Sequence, residues 1–168
     1  MKLHLVIAVC AGLLMSGMLQ AGGMNINQQF SGVTHPLMVD TNDDGIFAGV
    51  ASFQVVGSPG KGTILAVAEF ADFVPDGSPG CDLRADLVQE SFVETLNDGS
   101  MLFFEGTAGY NCVDFATGEV NAELSGIITG GTGRFEAATG TFVIVLSEAF
   151  GVGLTQSALT GTITGTID

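Results

Sequence analysis

Ile127-Ile128-Thr129-Gly130-Gly131-Thr132-Gly133-Arg134-Phe135-Glu136-Ala137-Ala138-Thr139-Gly140-Thr141-Phe142-Val143-Ile144-Val145 is the stretch that decides the fold of this chain. An apolar, β-branched run enters it and another leaves it. Such runs, bounded by glycine, read as strands. The connection holds four glycines and one aromatic residue. Gly130, Gly131 and Gly133 can take positive φ or let a neighbouring strand pass close by, which residues bearing a Cβ do badly. Phe135 stands where a ring can fold back over the end of a core, and Arg134 and Glu136 on either side of it can face water. The short stretch Glu136-Ala137-Ala138 is expected to form one helical turn before Thr141 starts the next strand.

Outward from this stretch the chain is a series of β runs cut by turn signals. Strands are predicted near Gln28–Met38, Ile46–Val56, Thr63–Val74, Leu83–Leu96, Met101–Cys112, Val120–Thr129, Thr141–Phe150 and Gln156–Ile167. The separators are Asp43-Asp44-Gly45, Gly57-Ser58-Pro59-Gly60, Asp76-Gly77-Ser78-Pro79-Gly80, Asn97-Asp98-Gly99 and Thr117-Gly118, all rich in turn formers. The last run alternates without a fault, with Leu159, Gly161, Ile163, Gly165 and Ile167 on one face and Thr160, Thr162, Thr164 and Thr166 on the other. The fold class is therefore all-β. Eight sequential strands joined by short turns favour an antiparallel up-and-down β-barrel, which removes exposed edges by closing. A β-sandwich with Greek-key links would want a longer crossover, and none is visible.

The pattern Ile128, Gly130-Gly131-Thr132-Gly133, Phe135, Ala138, Gly140 resembles the hallmark of the dirigent and allene oxide cyclase-like barrels, where a strand runs into G-G-T-G-x-F-x-x-A-x-G. The resemblance is sharp at this motif; from about Asp40 to Asp168 it rests on strand count and spacing. It implies an eight-stranded barrel that binds a hydrophobic small molecule in its lumen and steers a reactive intermediate into a cyclised or stereodefined product. It also implies a homotrimer packed through the outside of the barrel. Runs apolar on both faces, such as Ile64-Leu65-Ala66-Val67-Ala68 and Phe142-Val143-Ile144-Val145-Leu146, suit strands covered on two sides. The carboxylate and polar groups that the family places in its cavity do not map onto positions of this chain.

The N-terminal residues read as an address. Lys2 gives a basic start, Leu3 to Leu19 is apolar, and Ala21-Gly22-Gly23 offers small residues for cleavage, so residues 1–21 are expected to be a secretory signal peptide and 22–168 a single exported domain. About 147 residues then remain, an ordinary length for one domain. Eighteen acidic residues face Lys61, Arg84 and Arg134, a net charge near −15 that repels phosphate backbones and anionic membranes, so nucleic-acid partners are excluded. With 46% apolar residues a sizeable core is available.

Export bears on Cys81 and Cys112. If the Asn97–Ser100 turn sets Leu96 opposite Met101, Cys112 falls opposite Ala85, and both cysteines lie at the open end of one hairpin. The apolar face of the Leu83–Leu96 run changes parity near Val88, which predicts a bulge there. A disulfide between the two is expected in an oxidising compartment.

Signals for chemistry are sparse. Asp40-Thr41-Asn42-Asp43-Asp44-Gly45 starts like a calcium loop, with Asp40, Asn42 and Asp44 as candidate ligands. The twelfth position, however, is Ala51 where a bidentate Glu belongs, so an acidic hairpin turn is the plainer reading. Gly57 to Thr63 lacks the Ser or Thr and the helix of a phosphate loop. His35 precedes Pro36 at a strand end, and one His with two cysteines cannot build a zinc site. What remain are polar groups within apolar strands: Glu69, Glu105, Tyr110 and Arg84. A carboxylate facing an apolar lumen has a raised pKa and can serve as general acid or base without a cofactor, as a cyclase-like isomerase needs. The alternative is a non-catalytic secreted protein with a side-chain-filled barrel, acting through its outer surface; lumen volume separates the two.

Overall fold

In the computed structural model, which describes residues 23–36, 40, 48–149 and 157–168, the chain forms nine strands and one 3-10 turn. The strands are β1 (Met24–Pro36), β2 (Gly49–Ser58), β3 (Gly62–Phe70), β4 (Val74–Ser78), β5 (Cys81–Leu96), β6 (Met101–Asp114), β7 (Glu119–Gly131), β8 (Gly140–Ala149) and β9 (Ser157–Ile167), with the 3-10 turn at Gly133–Phe135. Neighbours pair antiparallel in the order β3-β2-β1-β9-β8-β7-β6-β5, and β5 pairs back onto β3. The sheet is a closed eight-stranded antiparallel barrel whose consecutive strands are neighbours. The expected leader, residues 1–21, lies outside the described residues.

The predicted third strand, Thr63–Val74, is broken. Its register against β5 shifts between Glu69 and Phe70, and the chain resumes as β4 on the same edge of β5. There Pro75 has no N–H to donate, so pairing is short and irregular. At the shift, Glu69 pairs with Gln89 and Phe70 with Leu87. Val88 is thus the extra residue of a bulge, where the parity change in the sequence predicts one. Beyond it the inward face of β5 changes from Glu90, Phe92, Glu94 and Leu96 to Ala85 and Leu87. A shift between Gly106 and Ala108 does the same to β6.

The lumen is filled with side chains. Phe92 stacks on Phe104 at 4.2 Å between ring centroids, and both meet Phe142 edge-on at 5.1 and 5.4 Å. Ile64, Ile144, Ile163 and Leu102 pack around this trio, and Phe30 with Phe53 fills the adjoining wall. Rings of this size need gaps opposite them. A Cβ at Gly126 would lie 2.7 Å from the Phe142 ring, and one at Gly161 would lie 2.6 Å from that of Phe30. Gly161, which interrupts the apolar face of β9, is therefore a ring-accommodating position of a close-packed interior.

The glycine motif closes one end. Gly130 and Gly133 take φ of 155° and 62°. Phe135 is only 4% exposed and joins Leu96, Leu102, Ile128 and Ala138 in the core. The helical turn lies at Gly133–Phe135 and not at Glu136–Ala138 as expected. Phe135 N–H donates to Thr132 O at 3.2 Å, which turns the ring inward, and Ala137 then adopts φ 63°, which ends the helical conformation.

Cys81 and Cys112 are bridged, with 5.3 Å between their Cα atoms. The register differs by one from expectation, because Cys112 pairs with Arg84 and not Ala85. The turn is a three-residue Asn97-Asp98-Gly99 loop, closed by Leu96 N–H donating to Ser100 O at 2.9 Å with Gly99 at φ 83°, a type I turn followed by a left-handed glycine.

Two outcomes follow. Phe135→Ala deletes a buried ring and is expected to lower unfolding free energy by about 3–5 kcal/mol in urea titration. Reducing the disulfide opens a loop with a sequence separation of 31 and is expected to lower stability by about 3–4 kcal/mol, read from urea midpoints with and without reductant.

Candidate functional site

The polar groups inside the barrel are the candidate site, and most are not those singled out from sequence. Glu105 is exposed, because the even-numbered Leu102, Phe104 and Gly106 take the inward positions of β6. Past the shift at Thr107 the odd-numbered residues turn inward, which leaves Tyr110 outside. Arg84 stacks over its ring at 4.1 Å and pairs with Asp86 at 2.8 Å. Arg84 and Tyr110 therefore meet, but on the outer wall beside the disulfide and away from both glutamates. Glu69 is fully buried at the register shift of β3, where it pairs with Gln89. Of the four, Glu105, Tyr110 and Arg84 lie on the outer wall. Of the calcium candidates, Asn42 and Asp44 lie outside the described residues, and among the described residues no cluster of three or more metal-ligating side chains occurs.

Two carboxyls that enter the lumen come from β5. Glu90 and Glu94 share the inward face with Phe92 and Leu96, and they are 5% and 0% exposed. A visible signal pointed to them: in Glu90-Ser91-Phe92-Val93-Glu94-Thr95-Leu96 the two bulkiest apolar residues occupy the glutamates' parity. Burying Phe92 and Leu96 carries both acids inward.

Glu90 sits against Gly106. A Cβ there would lie 2.5 Å from Glu90 Oε2, so the absent side chain leaves the carboxyl its space. Its Oε2 has no hydrogen-bond partner, and burial pushes its pKa up to about 7. An unpaired buried charge is costly, so burial favours the protonated form. Such a carboxyl can exchange a proton near neutral pH if a substrate reaches it.

Glu94 lies toward the motif end. Gln28, fully buried on β1, donates from Nε2 to Glu94 Oε1 at 2.5 Å. Burial raises the pKa of Glu94, opposed by that hydrogen bond and by the nearby Arg134 charge. Arg134 caps this end: it donates from Nη2 to Pro59 O at 3.0 Å, pairs with Asp98 at 3.3 Å and lies over the Phe135 ring at 4.7 Å. Its place in the motif thus couples the closing loop to the buried acid.

A sharp prediction attaches to Glu90. Its folded pKa lies above the ordinary unfolded value, so its stabilising effect is complete below about pH 4.5 and is lost as pH rises toward 7. Wild-type unfolding free energy is expected to fall between pH 5 and pH 8 by roughly 3 kcal/mol more than that of Glu90→Gln, measured by urea titration at both pH values. No known protein family, curated protein or solved structure matches this chain.

Proposed function

We propose that this chain is a non-catalytic, exported interaction protein that works through the outer wall of a side-chain-filled barrel and self-associates there. The observation that carries this reading is the contrast between the two sides of the sheet. The lumen is occupied by Phe92, Phe104, Phe142 and their neighbours, while large apolar groups remain on the outside. Leu65 pairs with Val93, and Val93 with Phe103, so the three form a continuous row across β3, β5 and β6. Leu65 is 59% exposed and Val93 38%, and Ile127 on β7 is 43% exposed. A shallow depression of about 390 Å³ lies over this row, bordered also by Val67, Ser91 and Thr129. Contiguous apolar surface of this kind marks association sites. Glu105 is the single charged residue bordering the depression, so a chain bearing net charge −14 meets little self-repulsion when copies approach through it. The resemblance of the glycine motif to trimeric barrels points the same way.

A second reading, that the lumen binds a hydrophobic molecule and steers its cyclisation, is favoured by Glu90, a carboxyl with pKa about 7 in apolar surroundings. It requires the aromatic trio to separate. Light scattering coupled to size exclusion distinguishes the two. The self-association reading expects a multimer, a trimer by resemblance, that falls to monomer in Val93→Asp with an unchanged circular dichroism spectrum. A monomeric wild type carrying a stoichiometric apolar ligand in native mass spectrometry would overturn it in favour of the lumen reading.

A further inference from the structure

We propose that Glu94 and Gln28 form a reciprocal acid–amide pair, a proton-operated latch that ties β5 to β1 across the motif end of the barrel. One half of the pair is in place, since Gln28 Nε2 donates to Glu94 Oε1 at 2.5 Å. The remaining atoms of the two groups, Gln28 Oε1 and Glu94 Oε2, are both buried and both without a hydrogen-bond partner. With Glu94 ionised these are two acceptors and no donor, in a region where Glu94 pairs across with the buried Ile64 and Leu102 and Gln28 with the buried Ile163. Leaving such groups unmade is far costlier than the gain from an average hydrogen bond. One proton on Glu94 Oε2 resolves both defects at once, because the acid O–H then donates to Gln28 Oε1. No additional atom is needed. The terminal torsions of Glu and Gln are broad, so a small rotation suffices to face the second atoms toward each other. The other amide hydrogen of Gln28 is directed at Gly60 O, 3.5 Å away.

The latch spans the lumen, since three strand-to-strand steps separate β5 from β1 around the ring through β3 and β2. It lies beneath the Ser58–Gly60 connection that Arg134 holds through Pro59 O. The charged groups that bear on it are few. Glu90 lies on the same face of β5, one ring-bearing position further along, and Arg134 approaches from the 3-10 turn with Asp98 of the β5–β6 turn as its partner. Lys61 is exposed ahead of β3, and Asp168 is exposed beyond β9. The inward residues nearest on the other strands carry no charge: Ile26 and Phe30 on β1, Phe53 and Val55 on β2, Ile64 on β3, Leu102 on β6, Ile128 on β7, Phe142 on β8 and Ile163 on β9. The latch is closed while Glu94 keeps its proton. It releases as rising pH ionises the acid and sets a carboxylate against the amide oxygen.

Glu94→Gln tests this directly, because two primary amides form the same reciprocal pair with nothing to titrate. The variant is expected to melt several degrees above wild type at pH 8 and to match it at pH 5. If Glu94 is instead an ionised acceptor held by Gln28 and Arg134, the variant loses a charge-assisted bond and melts below wild type at pH 8, which overturns the proposal. A second measurement needs only the wild-type chain. In ¹³C-glutamate NMR, the Glu94 carboxyl carbon is expected to hold its protonated chemical shift well above the pH where exposed glutamates titrate. A Glu94 signal that titrates together with the exposed glutamates sinks the latch whether or not the variant folds.

Discussion

Everything in this structure depends on filling a closed eight-stranded barrel to close-packed density. Eight strands enclose a space that side chains just fill, and here the filling is done by phenylalanine rings. Phe92, Phe104 and Phe142 meet at the centre, and rings of that volume fit only because opposite positions lack side chains. Gly126 and Gly161 supply those gaps. Ring and gap lie on different strands, so the packing also resists register slips: moving a ring-bearing or gap-bearing strand by one residue would put an outward-facing residue in place of the ring or a side chain in the gap.

Closure makes the bulges decisive. The extra residue at Val88 and the matching shift at Thr107 exchange the inward and outward faces of β5 and β6 halfway along their length. Above them Glu90, Phe92, Glu94 and Leu96 point inward; below them Ala85 and Val113 take the inward positions. The same exchange leaves Arg84 and Tyr110 on the outer wall, while the buried Cys81–Cys112 bridge ties the open end of the long β5–β6 hairpin. Two acids thus enter an apolar interior as a consequence of burying Phe92 and Leu96, and burial raises the pKa of both.

The outer wall has a division of its own. Over β2, β1, β9 and β8 the outward residues are mainly Ser, Gln, Asn and Thr with a few valines, while Leu65, Val93, Phe103 and Ile127 gather over β3, β5, β6 and β7. Apolar surface left outside a filled barrel contributes nothing to its own core, and covering it by association removes that surface from water at about 25 cal/mol per Å².

Much of this was legible in the residues alone. The faultless alternation of Leu159 to Ile167, the turn signals at Gly57–Gly60 and Asn97–Gly99, and the parity change at Val88 determine an all-β meander with a bulge, because strand period and turn chemistry are local properties. Phe135 between Arg134 and Glu136 likewise announces an inward ring. The cysteine pairing follows from two residues near one hairpin end, although its exact register waited on whether the turn held three residues or four. What the sequence could not determine is which polar residues the closed sheet takes inside. Glu69 and Glu105 sit among apolar residues as Glu90 and Glu94 do, and each strand reads as amphipathic by itself. Only the closed ring assigns one face of every strand to a shared interior, and only there do Gln28 and Glu94, 66 residues apart, meet across the lumen. That meeting is a property of tertiary closure, because neither β1 nor β5 encodes the partner it faces.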